Sequence, residues 1–250
     1  MFQPRLSVIT IVYNNVRDIE RTMLSVLNQT YSNLEYIIID GKSTDGTLEI
    51  VTKYQHRISK LVSEQDKGIY DAMNKGLALA SGDYVLFMNS GDEIYSADTV
   101  EKVFACEPDA DIYYGETEMY DQQWRSLGQR RHRAPEKFSW KSFQWGMSVS
   151  HQAIYIKRSI TEPFDIQYQL SSDIDWIIRT AKKARKIVNT HSYVAKYLVG
   201  GMSKSRHKQS LIERFDIFSR HYGLVSNLLN HSIIALKLGI YYLRHGRSND

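Results

Sequence analysis

A single cysteine, Cys106, leaves no disulfide possible within the chain and rules out a cysteine zinc cluster. A reducing compartment fits, and the expected location is cytoplasmic. Prolines number only four, which argues against a long proline-rich linker. No run reaches the ~20 apolar residues needed to span a bilayer. Met1-Phe2-Gln3-Pro4-Arg5 leads straight into a strand-like segment, with no charged leader and apolar stretch, so no signal peptide is expected. Internal repeats and low-complexity tracts are absent. The first apolar run is followed by Tyr13-Asn14-Asn15-Val16 and not by a glycine-rich fingerprint, which counts against a dinucleotide-binding oxidoreductase. It also counts against nucleotidyl transfer, where a glycine-rich and basic loop would cradle a triphosphate.

What is present suits an ordinary globular domain. Hydrophobic residues make up 42% and charged residues 24% of the 250 positions, enough for a packed core. The net charge of +4 is mild, and no nucleic-acid partner is expected. Basic residues gather at Arg125, Arg130, Arg131, Arg133, Lys137 and Lys141, and again at Lys204, Arg206 and Lys208. Such patches suit phosphates on a donor, a lipid carrier or a membrane surface, or else line a solvated loop.

Periodicity divides the chain. Leu6 to Tyr13, Leu34 to Ile39, Ile58 to Ser63 and Tyr84 to Met88 are short apolar runs of strand type. Between them, 18–29, 48–54 and 70–80 read as helices. Strand and helix thus alternate over the first ~100 residues, the pattern of βαβ units around a mainly parallel sheet. Ligands of such sheets bind beyond the carboxyl ends of the strands. Asn14, Asp40, Asp66 and Asp92 all fall in loops after predicted strands, so the polar residues collect on one edge. Further on, 111–119 and 152–156 read as strands, 173–182 as a helix and 187–198 as one or two strands. From about 209 the chain reads as helical. Ile233 to Leu243 is apolar with Lys237, Arg244 and Arg247 around it, a candidate for peripheral membrane contact or for packing on a second copy.

Asn89-Ser90-Gly91-Asp92 directly follows an apolar strand, which puts a carboxylate at the ligand edge. Oxygen ligands of this kind suit Mg²⁺ or Mn²⁺, which would stabilise charge on a departing phosphate. Taken alone, Asp92 reads equally as a turn residue. Three further segments, Ile37 to Thr47 (IIIDGKSTDGT), Asp66 to Gly76 (DKGIYDAMNKG) and Ala80 to Val85 (ASGDYV), together with Ser7 to Asn14, resemble the family 2 glycosyltransferases. The resemblance is close over about 6–95 and looser over about 145–205. It implies a GT-A-like, Rossmann-type α/β domain over 1–205, with a C-terminal helical extension over 206–250. It also implies an inverting transferase that moves a sugar from a nucleotide-sugar to an acceptor hydroxyl. That acceptor would be a saccharide or lipid-linked saccharide, in surface polysaccharide or lipid-linked oligosaccharide synthesis.

The same resemblance supplies roles. Thr10, Tyr13 and Asn14 would flank the nucleotide. Asp40 would accept a hydrogen bond from the base, which suits a uracil N–H and a UDP donor. Asp66 would approach base or ribose, Lys67 a phosphate, and Asn74 the donor. Asn89, Ser90 and Gly91 would belong to the nucleotide-sugar site, with Asp92 as the one retained metal carboxylate, since Asn89 and Gly91 stand where many members carry acids. Asp45 reads as a turn and cap residue, and Asp71 and Lys75 as part of a solvated helix face. Ser171-Ser172-Asp173-Ile174-Asp175-Trp176 resembles the acidic pair that opens a helix beneath the acceptor; Asp173 would be the general base, with Asp175 the alternative. His151 would belong to the donor or acceptor side. Gly200 to Ser203 resembles a loop that closes over the diphosphate, with Lys204, Arg206 or His207 meeting phosphate or metal. Trp140, Trp145 and Trp176 are candidates for stacking on a sugar or for the core. A non-catalytic nucleotide-binding domain is the other reading, and would bind UDP without turnover.

Overall fold

β1 (Leu6–Val12) is buried along its whole length, the mark of a strand covered on both faces. Alternation sorts its side chains. Leu6, Val8 and Val12 face one apolar layer, and Ile9 and Ile11 face the other. β2 (Leu34–Asp40) divides the same way, with Tyr36 and Ile38 on the first side and Ile37 and Ile39 on the second. The computed structural model of the protein describes residues 2–130, 133–145, 149–200 and 206–233.

β1 pairs in parallel with β2 and with β4 (Tyr84–Phe87), and β2 pairs in parallel with β3 (Lys60–Ser63). The sheet continues through β8 (Ile154–Lys157), β6 (Ile112–Tyr120) and β9 (Ile187–Leu198) to β5 (Glu93–Ile94), with β7 (Ser126–Gln129) hanging from β6. β8 is antiparallel to both β4 and β6, so β6 resumes the direction of β4, and β9 follows β6 in parallel. The order 3-2-1-4 at one side is the doubly wound arrangement expected from the alternating pattern.

Helices cover both faces. α1 (Ile19–Leu27) buries Ile19, Met23 and Val26 at helical spacing on the layer shared with Leu6 and Val8, with α2 (Thr47–Lys53) beside it. α4 (Thr99–Cys106) adds Val100, Val103 and Phe104 to this layer. α3 (Ile69–Leu79) and α5 (Ser172–Lys183) cover the other face. α3 lies close on β1, since a Cβ at Gly76 would stand 2.4 Å from Ile9 Cγ2. α6 (His207–Tyr222) packs on α5, burying Ile217 and Phe218, and helical residues 224–233 follow.

α4, β5 and β7 do not stand out in the sequence. α4 spans two turns, β5 has two residues, and β7 is an edge strand (SLGQ) with no buried alternation. None of the described helices is long and apolar enough to cross a membrane.

Candidate active site

Register places the strand ends side by side. Val12 pairs with Asp40, and Ile9 with Phe87, so the loops opening at Tyr13, Gly41, Ser63 and Met88 emerge along one edge. Side chains of these loops tie them together. Asn14, with φ +48°, accepts the Thr44 N–H on Oδ1 (2.8 Å) and gives its own N–H to Ser43 Oγ (2.9 Å). Asn15 Nδ2 donates to Ser90 Oγ (2.8 Å). Asp45 accepts from Val16 N–H (3.0 Å) and Thr47 N–H (3.0 Å), the turn-and-cap duty its sequence suggests. Asn14 and Lys42 (φ +65°) both occupy the left-handed region, strain that is typically held at functional loops.

A cleft of about 860 Å³ opens above this edge, of the size that takes a nucleotide-sized ligand. Ile11, Val12, Gly41, Asp66, Lys67, Asn89 and Ser90 line it. Ile166, Tyr168 and Gln169 line it as well, with Arg206 donating to Gln169 Oε1 (2.9 Å). The Tyr13 ring lines it too and is 67% exposed, a large aromatic surface left open at a cleft. Gly41 permits the close approach. A Cβ there would meet Asp66 Oδ2 at 2.9 Å and Tyr13 Cδ2 at 3.3 Å.

Asp66 is held by Lys75, whose Nζ lies 2.7 Å from Asp66 Oδ1, 2.8 Å from Glu64 and 3.6 Å from Asp71. The hydrogen bonds to Asp66 and Glu64 raise the Lys75 pKa, so it stays a cation. Lys75 is therefore no solvated bystander, as its helix-face position suggests. Asp71 accepts the Lys67 N–H (2.9 Å) and shapes the turn into α3.

Deeper in, four side chains form a row. Asn89 Nδ2 lies 3.0 Å from His151 Nε2, His151 Nδ1 lies 3.2 Å from Asp173 Oδ2, and the Tyr70 hydroxyl donates to Asp173 Oδ1 at 3.1 Å. An amide nitrogen can only donate, so His151 Nε2 accepts and Nδ1 carries the proton given to Asp173. Burial acts to raise the Asp173 pKa, but the hydrogen bonds from His151 and Tyr70 and the charge of Arg214 outweigh it and hold the carboxyl below its ordinary range. Asp173 also lies in the first turn of α5, where the helix end favours a carboxylate. The Tyr70 ring lines the cleft, so Asp173 stands one hydrogen bond from it.

Asp92 differs. It is buried, and among the described residues its carboxylate accepts one hydrogen bond, from the Leu198 N–H (3.2 Å). Burial pushes its carboxyl up to about 7, against the opposing pull of His151 and that hydrogen bond. Asn89 Oδ1, three residues earlier in the same turn, is buried and has no hydrogen-bond partner among the described residues. A hard cation would satisfy both, and an oxygen set of one carboxylate, an amide, diphosphate and water suits Mg²⁺ or Mn²⁺. Among the described residues no cluster of three His, Cys, Asp or Glu could hold a metal unaided.

Several residues expected at the donor are placed elsewhere. Thr10 is buried within β1, donating to Met88 O (2.8 Å) with Tyr36 Oη 3.0 Å away. Asp40 is fully buried and accepts from Ser63 Oγ (2.6 Å) and the Ser43 N–H (3.2 Å), so it builds the turn behind the cleft, while Asp66 presents the carboxylate at the wall. Asn74 spends both ends of its amide on the Phe164 backbone (2.7 and 3.0 Å). Asp175, the alternative base, points away from the row: Arg179 Nε (2.7 Å) and His221 Nε2–H (2.8 Å) occupy its two oxygens and tie α5 to α6. Trp176 is buried against Phe164 (4.6 Å between centroids) and Trp140 stacks on Tyr222 (5.6 Å), so both serve packing. Gly91 and Asp92 lie beside the cleft wall and not on it. The Trp145 side chain and residues 201–205, with Lys204, lie outside the described part.

A mainly parallel sheet with this cleft at its carboxyl edge is the GT-A-like arrangement, and solved structures of that fold superpose on it. S. aureus TarS does so with a TM-score of 0.67 at 19% identity, over 92% of this chain and 43% of that one, so the chain spans less than half of the longer protein. A shorter TarS, residues 1–349 in complex with UDP-GlcNAc, gives 0.64 at 18% identity over 98% and 74%. The mannosyltransferase PcManGT of Pyrobaculum calidifontis, in complex with GDP-Man and Mn²⁺, gives 0.65 at 18% identity over 99% and 77%. Residues 7–166 match Glycosyl transferase family 2, and the chain belongs to that family. It is a glycosyltransferase. Among curated relatives, the PGL/p-HBAD biosynthesis glycosyltransferase of Mycobacterium bovis (strain BCG / Pasteur 1173P2) is 28% identical over 232 residues, 88% of this chain and 87% of that one.

Proposed function

We propose that the chain transfers a sugar from a UDP-sugar to an acceptor hydroxyl in a single inverting displacement, with Asp173 as general base. The observation that carries this is the Asn89–His151–Asp173–Tyr70 row beside the cleft. The acceptor oxygen attacks the anomeric carbon while its proton passes to Asp173. The bond from that carbon to the β-phosphate oxygen breaks, and UDP leaves with the electron pair. His151 fixes one carboxylate oxygen and Tyr70 the other, which keeps Asp173 ionised and aimed. A metal bound at Asp92 with Asn89 Oδ1 would supply positive charge at the leaving diphosphate.

The nucleotide reading rests on Asp66 and Tyr13. A carboxylate beside an open aromatic ring suits a base that presents an N–H, as uracil does and cytosine at N3 does not. Lys67 and Arg206 line the same cleft and suit the phosphates. Residues 1–205 form the proposed catalytic domain, with the C-terminal helices as an extension docked on α5. Exposed Leu224, Val225, Leu228 and Leu229 give that extension an apolar surface suited to peripheral membrane contact, in keeping with a lipid-linked or surface polysaccharide acceptor. Liposome flotation, with and without residues after Ser226, tests the membrane part.

Calorimetric titration with UDP, GDP and CDP, in Mn²⁺ and then in EDTA, tests the core. The expected result is binding selective for UDP and strengthened by metal. GDP binding tighter than UDP would change the donor. Loss of all nucleotide binding would overturn the reading.

A further inference from the structure

We propose that Gln169 reads the transferred sugar: its side-chain amide, held by two residues at the start of α6, presents its N–H donors to a hydroxyl or acyl oxygen of that sugar. The term transferred sugar rests on the donor reading above. Residues 164–171 bring three side chains to the cleft, Ile166, Tyr168 and Gln169. Ile166 is apolar. Tyr168 is buried, and its hydroxyl is committed to Asp216 Oδ2 (2.6 Å). Gln169 is exposed, and of the three it alone has a polar group open to a ligand.

Hydrogen-bond chemistry fixes which end of the amide is open. Arg206 Nη2 lies 2.9 Å from Gln169 Oε1, and a guanidinium only donates, so the end facing it is the oxygen. Gln209 Nε2 donates to the same oxygen (3.2 Å) and to Glu213 Oε1 (3.0 Å); the opposite orientation would set its own oxygen against two acceptors. Glu213 in turn accepts the backbone N–H of Gln169 (3.1 Å) and of Leu170 (2.8 Å). Backbone and carbonyl end of Gln169 are thus both anchored to α6, and among the described residues its Nε2 donates to no protein acceptor. An exposed glutamine ordinarily keeps its rotamer freedom. Here much of that freedom is lost before a ligand arrives, which lowers the cost of binding one. The place suits the sugar. Gln169 stands four residues before Asp173, and Phe164 on the same segment stacks on Tyr70 (5.7 Å between centroids), which bonds Asp173. The base must reach the hydroxyl that attacks the anomeric carbon, so the sugar belongs at this end of the cleft. A neutral amide suits its hydroxyl or acyl oxygens, while the cations Lys67 and Arg206 suit the phosphates.

The test is calorimetry with UDP and with UDP-glucose, UDP-galactose and UDP-N-acetylglucosamine, the tightest of the three sugars being carried into the variants. Gln169→Met removes the donors. Its Kd for the UDP-sugar should rise about tenfold, the size of one lost hydrogen bond, while its Kd for UDP moves less than twofold, which also shows that it folds. Gln169→Glu keeps an oxygen towards Arg206 and Gln209 and offers no N–H, so the ratio of the two Kd values should rise as it does in Gln169→Met. If Gln169→Met is unstable, Gln169→Glu decides. Gln209 does not line the cleft, and Gln209→Met, which loosens the amide, should raise the ratio about threefold. An unchanged ratio in Gln169→Met overturns the proposal, and so does an equal loss of UDP, which would assign the amide to the diphosphate. If GDP is the preferred nucleotide, GDP-mannose and GDP form the pair compared. Nucleotide binding with an unchanged ratio sinks this inference alone; wild-type protein that binds no nucleotide sinks the donor reading and this inference together.

Discussion

The two ends of the parallel strands treat buried carboxylates in opposite ways. At the amino end, Glu35 accepts from Ser7 Oγ (2.5 Å), Ser81 N–H (2.7 Å) and Ser81 Oγ (2.8 Å), with Lys60 at 3.1 Å and Arg5 at 3.7 Å. Burial acts to raise its pKa, but these donors win and hold it at about 2. At the carboxyl end, Asp92 is also buried, accepts one hydrogen bond among the described residues, and has its carboxyl pushed up to about 7. Buried polar groups are normally satisfied. The end that satisfies its carboxylate holds the sheet together. The end that leaves Asp92 and Asn89 Oδ1 short of partners is the end expected to meet a ligand.

The sharpest break of this comparison is at the row. Asp173→Asn should lower turnover about 10³-fold, within the range of general-base effects, and leave the Kd for UDP within twofold. Near-normal turnover would move the base elsewhere. Next is Glu35→Gln, which should cost about 1–2 kcal/mol of stability near neutral pH, the pKa shift being discounted for solvent screening, without changing UDP affinity. The sign follows from the depressed folded value. The Glu35 contribution is complete above its unfolded pKa of 4.5 and is lost as pH falls toward about 2. Acid denaturation curves of wild type should therefore steepen across that window, and those of the variant should not.

Asp92→Asn should act in the opposite sense. Its folded pKa is raised, so its favourable contribution exists below about 4 and is lost as pH rises through about 7. At pH 8 without metal, the variant should be more stable than wild type by about 2 kcal/mol, while metal should no longer strengthen its UDP binding. A variant less stable than wild type at pH 8 would show that Asp92 has partners already. The smallest effect is expected at Lys75→Met, which should weaken UDP about fivefold by freeing Asp66, roughly 1 kcal/mol, with Lys75→Arg restoring part of it. Titration calorimetry reads this directly.

The same contrast explains what the sequence could reveal. Apolar runs and their turn residues mark β1 to β4 and the helices between them, because covered parallel strands are nearly continuous in hydrophobicity. The edge on which Asn14, Asp66, Asn89 and Asp92 gather follows from strand direction alone. Which carboxylate faces outward does not. Asp40 ends β2 and Asp66 follows β3, yet Ser43 and Ser63 absorb the first, and Lys75 holds the second against Gly41. That choice depends on partners 23 residues away or on the next helix, which no local pattern encodes. Asp173 and Asp175 were separable in principle, since residues two apart on a helix point to different sides. The partners that distinguish them, His151 and His221, come from distant segments.

β8 enters the sheet at the edge that its parallel neighbours leave. Because it runs against β4 and β6, the chain reaches the reactive edge at the start of β8, just after His151. A single reversed strand thus works as a seam. On one side, β1 to β4 and their loops make an interlocked frame around the cleft. On the other, the segment between β7 and β8 forms none of the β1 to β4 strand pairs, so it can lengthen or change without shifting that register. Relatives that share a donor but differ in acceptor would be expected to diverge mainly on that second side.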